Sequence, residues 1–163
     1  MDRILWKGGT KESLSERTLV FLKPEAVMRG FIGEIVTRIE KKGLTITAIK
    51  LTQLTLMKAK KIYEMHRDKP FYESLIKHIT SGPVLAMVIE GPKAISVLRN
   101  MIGKTNPHEA HPGTVRGDLA LNTQKNIIHA ADNSENANRE IKIFFNSDDI
   151  VQYSKPTEAQ YLF

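Results

Sequence analysis

The residues best suited to chemistry stand close together near the end of the chain, in Asn126-Ile127-Ile128-His129-Ala130-Ala131-Asp132. Asn126, Ile127 and Ile128 read as a brief buried strand with His129 at its end. Small residues then turn the chain into Asp132. A histidine on a strand end has its backbone fixed by the sheet, so its imidazole is in place before substrate arrives. That suits a nucleophile or a general base. It suits an ordinary core histidine equally well, and the motif alone weighs the two readings evenly. A second group of candidates precedes it: Arg99, Thr105, and Arg116 within Pro112-Gly113-Thr114-Val115-Arg116-Gly117-Asp118. Arginine presents a planar fork that matches phosphate oxygens. The glycines and proline beside it fix the backbone and allow close approach. The Gly-x-x-x-x-Gly-Lys-Ser/Thr loop is absent, and so are the protein-kinase signatures. Phosphate chemistry without those scaffolds would fit a histidine that itself becomes phosphorylated, because imidazole is a competent nucleophile at neutral pH.

These side chains need a frame, and the apolar pattern supplies one. Arg17 to Lys23 is a near-continuous apolar run of strand length, which predicts a central buried strand. Pro24 stops it and holds Lys23 extended at the strand end. Ile32, Ile35, Val36 and Ile39 have helical spacing, and Gly43 ends that helix. A second strand is expected over Leu44 to Leu54. Thr55 can cap a helix with Ala59, Ile62, Tyr63 and His66 on one face. Phe71, Leu75, Ile76 and Ile79 mark a second short helix. Val84 to Glu90 is another buried strand, and Ala94, Val97, Leu98 and Met101 give the next helix an inward face. Gly103 to Lys125 shows no period; loops this long are uncommon in a compact domain and usually functional. The His129 strand follows, then a helix from Ser134 to Phe145.

This order predicts an α/β (α+β) ferredoxin-like βαββαβ sandwich with helices on one face. It has a four-stranded antiparallel sheet, an inserted helical pair and a long loop before the last strand. A doubly wound sheet is the competing topology. With 163 residues, one domain is expected. Residues 1–16 read as an extension, mobile or packed through Ile4, Leu5 and Trp6; 17–153 as the catalytic domain; 154–163 as a tail. No apolar run could span a bilayer, and the start, Met1 to Lys7, has too short an apolar core for a signal peptide. The absence of cysteine excludes disulfides and thiolate metal sites and fits a cytoplasmic protein. The net charge of +6 suits an anionic partner or simple solubility.

Arg17-Thr18-Leu19-Val20-Phe21-Leu22-Lys23-Pro24-Glu25-Ala26-Val27, followed by Arg29-Gly30, resembles the opening of a nucleoside diphosphate kinase. The His129 segment is similar to that family's phosphohistidine motif. Arg67-Asp68-Lys69-Pro70-Phe71-Tyr72, Ser81-Gly82-Pro83-Val84, Thr105-Asn106-Pro107 and the segment around Arg116 match as well. The resemblance runs in order from about Arg17 to Tyr153. It implies a ping-pong transfer: a nucleoside triphosphate phosphorylates His129 on Nδ1, and the phosphoenzyme phosphorylates a nucleoside diphosphate. By the same resemblance, Lys23 and Asn126 contact the ribose hydroxyl region, with Lys23 also near the transferring group. Arg99, Thr105 and Arg116 hold the phosphates, bridged by Mg2+. Phe71 stacks on the base, Leu75 and Thr123 line the cleft, and Tyr63 and Glu140 orient His129. A base held by stacking alone is read with little discrimination, so broad specificity is expected. The family forms hexamers or tetramers built from dimers, and the tail to Phe163 favours a homo-hexamer.

The chain departs from the family after the histidine, where Gly-Ser-Asp becomes Ala130-Ala131-Asp132. One lost hydrogen bond is worth roughly 0.5–1.5 kcal/mol, or about 1.5–3 against a charge. The expectation is an active enzyme, on the order of ten- to a hundred-fold slower than a serine-bearing relative. Of the remaining side chains, His66 is expected to be structural, and His78, His108 and His111 to lie on the surface or in loops. They offer no protein-built metal site, so metal should arrive with the nucleotide. Glu140 is by default a surface carboxylate. Two other functions stand beside the kinase. One is a nucleic-acid-binding sheet, which lacks the RNP1 pattern and would bind weakly and without sequence preference. The other is a regulatory relative that has lost activity, although the histidine, lysine and arginines all survive.

Overall fold

The computed structural model describes residues 15–153 and Lys155. Expectations for the N-terminal extension before Ser15, and for the tail apart from Lys155, lie outside the described residues. The first strand, β1 (Ser15–Leu22), is followed by the one-turn helix α1 (Pro24–Met28), helix α2 (Ile32–Lys41) and strand β2 (Thr45–Gln53). The inserted pair is α3 (Leu56–Ile62) and α4 (Tyr72–Ile79), with a 3-10 turn at Glu64–His66 between them. Then come β3 (Pro83–Pro92), α5 (Ala94–Ile102), the short α6 (Val115–Leu119), β4 (Ile128–Ala130) and α7 (Ser134–Phe144).

The sheet order is β2-β3-β1-β4, and every neighbouring pair is antiparallel. That is the ferredoxin-like arrangement; a doubly wound sheet would be mostly parallel. β1 lies in the middle and is buried from Thr18 to Leu22, as its continuous apolar run requires. Its alternate residues enter two different cores. Val20 and Leu22 pack with Ile35 and Ile39 of α2 and Leu98 and Ile102 of α5. Leu19 and Phe21 pack with Ile62, Leu75 and Ile76 of the inserted pair and Ile141 and Phe144 of α7. The expectation of helices on one face therefore holds for the two crossover helices alone. The insertion and α7 cover the other face, and burial on both sides is why β1 reads as unbroken apolar sequence.

Several local devices match the sequence. Thr55 caps α3 by accepting the Lys58 N–H, and Gly43 closes α2 with φ at +88°, a conformation that favours glycine. Other details differ. α3 stops at Ile62, so Tyr63 becomes its cap and His66 sits in the following 3-10 turn instead of on the helix. Phe71 is the cap of α4, outside its first turn. The buried stripe of α5 is Ala94, Ile95, Leu98 and Ile102, with Val97 and Met101 at its margin. The aperiodic stretch from Gly103 to Lys125 is not wholly loop. It holds a 3-10 turn at Pro107–Glu109 and α6, which Thr114 caps by accepting the Gly117 N–H. Elements of three to five residues are too short to show a period.

Candidate active site

The β1–β4 ladder sets His129 opposite Phe21. The two rings stack, with centroids 4.7 Å apart and planes at 19°. Tyr63 meets the imidazole edge-on at 5.5 Å. On the ring's other side, His129 Nε2 lies 2.8 Å from Glu140 Oε2. Glu140 is 2% exposed. It shares the inward face of α7 with Ala137, Ile141 and Phe144. The surface carboxylate expected by default is thus a buried one, and that spacing of inward residues was the signal that placed it there. A carboxylate only accepts hydrogen bonds, so the proton of the neutral ring sits on Nε2 and the free lone pair on Nδ1. Glu140 Oε1 also lies 3.6 Å from the Arg139 guanidinium. Arg139 in turn donates to the carbonyls of Lys61 and Ile62.

Lys23 caps α1 where Pro24 ends the strand. It is only 6% exposed, and its Nζ donates to Asn126 Oδ1 at 2.6 Å and to the Gln124 carbonyl at 3.1 Å. Burial, reinforced by the Arg116 charge and opposed by Glu25, brings its amine down to about 8. Asn126 is buried and donates through Nδ2 to the Thr105 carbonyl at 2.9 Å. Arg116 spends its fork on three carbonyls, those of Asn126, Gly103 and Ile128. The last of these belongs to the residue just before His129. Burial, with repulsion from Arg99, lowers the Arg116 guanidinium to about 10. Arg99 is exposed on α5. A hydrogen bond from Asn136 holds Asp132 below the ordinary carboxylate range, with help from the Arg99 charge. Three cations beside one imidazole repel one another, and a polyphosphate would relieve that repulsion.

The chain between Lys23 and His129 was expected to be plain strand from Asn126 onward. Instead the ladder starts at Ile128. Ile127 has φ at +75°, and the Ile128 N–H donates back to the Asn126 carbonyl at 2.9 Å, closing a γ-turn. A β-branched residue in that region is strained by about 1–3 kcal/mol. The turn is held by the Lys23 N–H, which donates to the Ile127 carbonyl, and by Glu25 Oε1, which accepts the Ile127 N–H. Glu25 Oε2 also meets His78 Nε2 at 2.7 Å. His78 is therefore not the surface or loop residue expected; its side chain is 12% exposed. Helical position alone gave no hint of that partner.

The other sequence candidates spread around this centre. Phe71 is 48% exposed at the start of α4, its ring 5.7 Å from that of His66. Leu75 is buried in the core beneath the same helix. Thr105 and Thr123 are exposed, and Thr123 Oγ1 reaches Asn106 Oδ1 at 3.5 Å. The Tyr63 hydroxyl is buried with no hydrogen-bond partner among the described residues. Burial, then the Glu140 and Glu25 charges, push that phenol up, so it is a neutral donor. His108 and His111 are exposed. Gly117 has a packing reason to be glycine: a Cβ there would collide with the His111 carbonyl. Gly117→Ala is expected to cost about 1–3 kcal/mol through that overlap and to loosen Arg116 beside it. A lowered urea midpoint with an unchanged slope checks this.

A fixed imidazole with a free nitrogen, set among cations on an antiparallel ferredoxin-like sheet, is an arrangement suited to phosphoryl transfer. Similarity to known proteins narrows the class. A family model described as nucleoside diphosphate kinase matches residues 16–150. The chain belongs to the nucleoside diphosphate kinase family. It is 48% identical over 146 residues to the nucleoside diphosphate kinase of Kosmotoga olearia, covering 90% of this chain and 99% of that one. It is 57% identical over 137 residues to that of Methanocaldococcus jannaschii, covering 84% and 98%. A solved halophilic nucleoside diphosphate kinase from Halobacterium salinarum, in complex with CDP, superposes with a TM-score of 0.87 at 42% identity, covering 90% of this chain and 97% of its own.

Proposed function

We propose that this nucleoside diphosphate kinase works by a ping-pong route with His129 Nδ1 as the phosphate carrier. The supporting observation is the Nε2 hydrogen bond to buried Glu140, which leaves Nδ1 as the nucleophile. The Nδ1 lone pair attacks the γ-phosphorus, and the bond to the β–γ bridging oxygen breaks. The nucleoside diphosphate leaves with that electron pair. The ring, now positive, is stabilised through its Nε2–H by the Glu140 carboxylate. A second nucleoside diphosphate then attacks with a terminal oxygen, the P–N bond breaks, and the imidazole is neutral again.

Lys23 offsets charge on the transferring group and reaches the ribose hydroxyl region with Asn126. Arg99, Thr105 and Arg116 hold the phosphates, and Tyr63 and Glu140 orient the ring. Phe71, half exposed, offers a stacking face for the base, while Leu75 and Thr123 border the cleft. Cations and positioning do most of the work in phosphoryl transfer. Among the described residues no trio of His, Cys, Asp or Glu could hold a metal, and the cradle is cationic. Those residues fit Mg2+ carried on the phosphates, where it would neutralise oxygen charge. The described residues contain no helix long and apolar enough to cross a membrane. Cytoplasmic work as a homo-hexamer completes the proposal, with a tetramer as the other assembly the family resemblance allows.

Initial rates with ATP and a second nucleoside diphosphate test the route: parallel double-reciprocal lines support it, and intersecting lines reject it. Ala131 is 2% exposed beside the histidine, and its methyl offers no hydrogen bond. Ala131→Ser is expected to raise turnover on the order of ten- to a hundred-fold by restoring one. Steady-state kcat of the two proteins decides this, and an unchanged or lower value rejects the explanation.

A further inference from the structure

The strained γ-turn at Ile127 lies between the two halves of the site. On one side, Asn126 holds Lys23 and Thr105, and its carbonyl receives Arg116 Nε. On the other, Ile128 opens the three-residue strand that carries His129. Ile127 itself is fully buried, so water cannot satisfy its N–H. That N–H is taken by a side chain, Glu25 Oε1, at 2.9 Å. The second oxygen of Glu25 is taken by His78 Nε2 at 2.7 Å, and both side chains are 12% exposed. Burial alone would raise the Glu25 carboxyl. The His78 and Ile127 hydrogen bonds outweigh it and hold the group below its ordinary value, as an anion. His78 sits in the last turn of α4 and Glu25 in the first turn of α1.

From these contacts we infer that Glu25, oriented by His78, is a positioning residue that holds the Ile127 turn and thereby sets Asn126, Lys23 and the His129 strand in register for phosphoryl transfer. The inference rests on the phosphohistidine reading above. Glu25 acts through backbone and through Asn126; it has no assigned contact with nucleotide. Its loss therefore acts by displacing Lys23, Asn126 and His129, and falls mainly on the chemical step. Displacement of catalytic groups by about an ångström costs on the order of ten- to a hundred-fold in rate.

The test is the single-turnover rate of His129 phosphorylation by ATP and Mg2+ at pH 7, per folded chain, together with KM. Glu25→Ala should be on the order of ten- to a hundred-fold slower, with the loss larger in this rate than in KM. Glu25→Gln keeps an oxygen for Ile127 and an amide for His78, and should recover the rate to within about threefold. In the same way, His78→Gln should work and His78→Leu should be slow, which keeps the inference testable if Glu25→Ala does not fold. A rate in Glu25→Ala or His78→Leu equal to the parent's would overturn it, as would glutamine variants no faster than the apolar ones. If the parent chain itself takes no label, the phosphohistidine reading fails and carries this inference with it. A labelled parent with indifferent variants fails the inference alone.

Discussion

His129→Ala is expected to lower nucleoside diphosphate kinase turnover by on the order of 10⁴-fold or more, because it removes the atom proposed to carry the phosphoryl group. No neighbour can take its place. Tyr63 is a buried phenol kept neutral by its surroundings, and Glu140 is buried behind the ring. The cations remain in the variant, so nucleotide should still bind. Equilibrium titration with a nucleoside diphosphate, set beside steady-state kcat, separates the two effects. Affinity within about threefold of the parent together with a collapsed kcat is the expected pair of results. A variant retaining more than a few per cent of turnover would mean that another group accepts phosphate.

Lys23→Met should cost on the order of 10²- to 10³-fold in kcat/KM, the size seen when one preorganised charge is removed from a developing anion. Methionine keeps the length and apolar stem of a side chain that is almost wholly buried, so the fold should tolerate it. The parent should also show a pH signature that the variant lacks. The free amine, lowered to about 8, is charged below that pH and neutral above it. Its attraction for phosphate is therefore present below pH 8 and fades as pH rises through it, so KM should climb on the alkaline side. Bound phosphate favours the charged form, so kcat at saturation should change less. Stability has the opposite sign. Between about pH 8 and pH 10.5 the folded amine is neutral while the unfolded one still holds its proton. The unfolded state then binds more protons, and the free protein gains stability from this group as pH rises across that window. Thermal melts and KM values measured over the same pH series would check both directions.

Local pattern made most of the fold legible. β1, β3 and α2 are long enough for run or period to speak. Thr55 and Gly43 punctuate as their chemistry requires, and Pro24 ends β1 where a proline must. What stayed hidden was either short or set by distant partners. α1 and α6 have five residues each, fewer than two turns. Ile127 looks like strand because isoleucine favours strands; only the side chain of Glu25, 102 residues earlier, and the Lys23 backbone make its left-handed turn tenable. His78 looks like an exposed helical residue until α1 is packed against it. Glu140 was half legible: Ala137, Ile141 and Phe144 mark its face as the buried one, but the imidazole it serves lies 11 residues back on another element. The candidate centre was read from separated motifs in a fixed order, and the fold gathers Lys23, Asn126, Arg116 and His129 around one turn.

The most direct measurement is on the protein alone, with γ-labelled ATP and Mg2+, rapidly quenched in alkali. The phosphohistidine route predicts up to one phosphoryl group per chain, acid-labile and alkali-stable, assigned to His129 Nδ1 by phosphorus NMR. It should be discharged by added nucleoside diphosphate at least as fast as the enzyme turns over. An enzyme that turns over without forming this species, or forms it but discharges it more slowly than turnover, would contradict the route and point to direct transfer between two bound nucleotides.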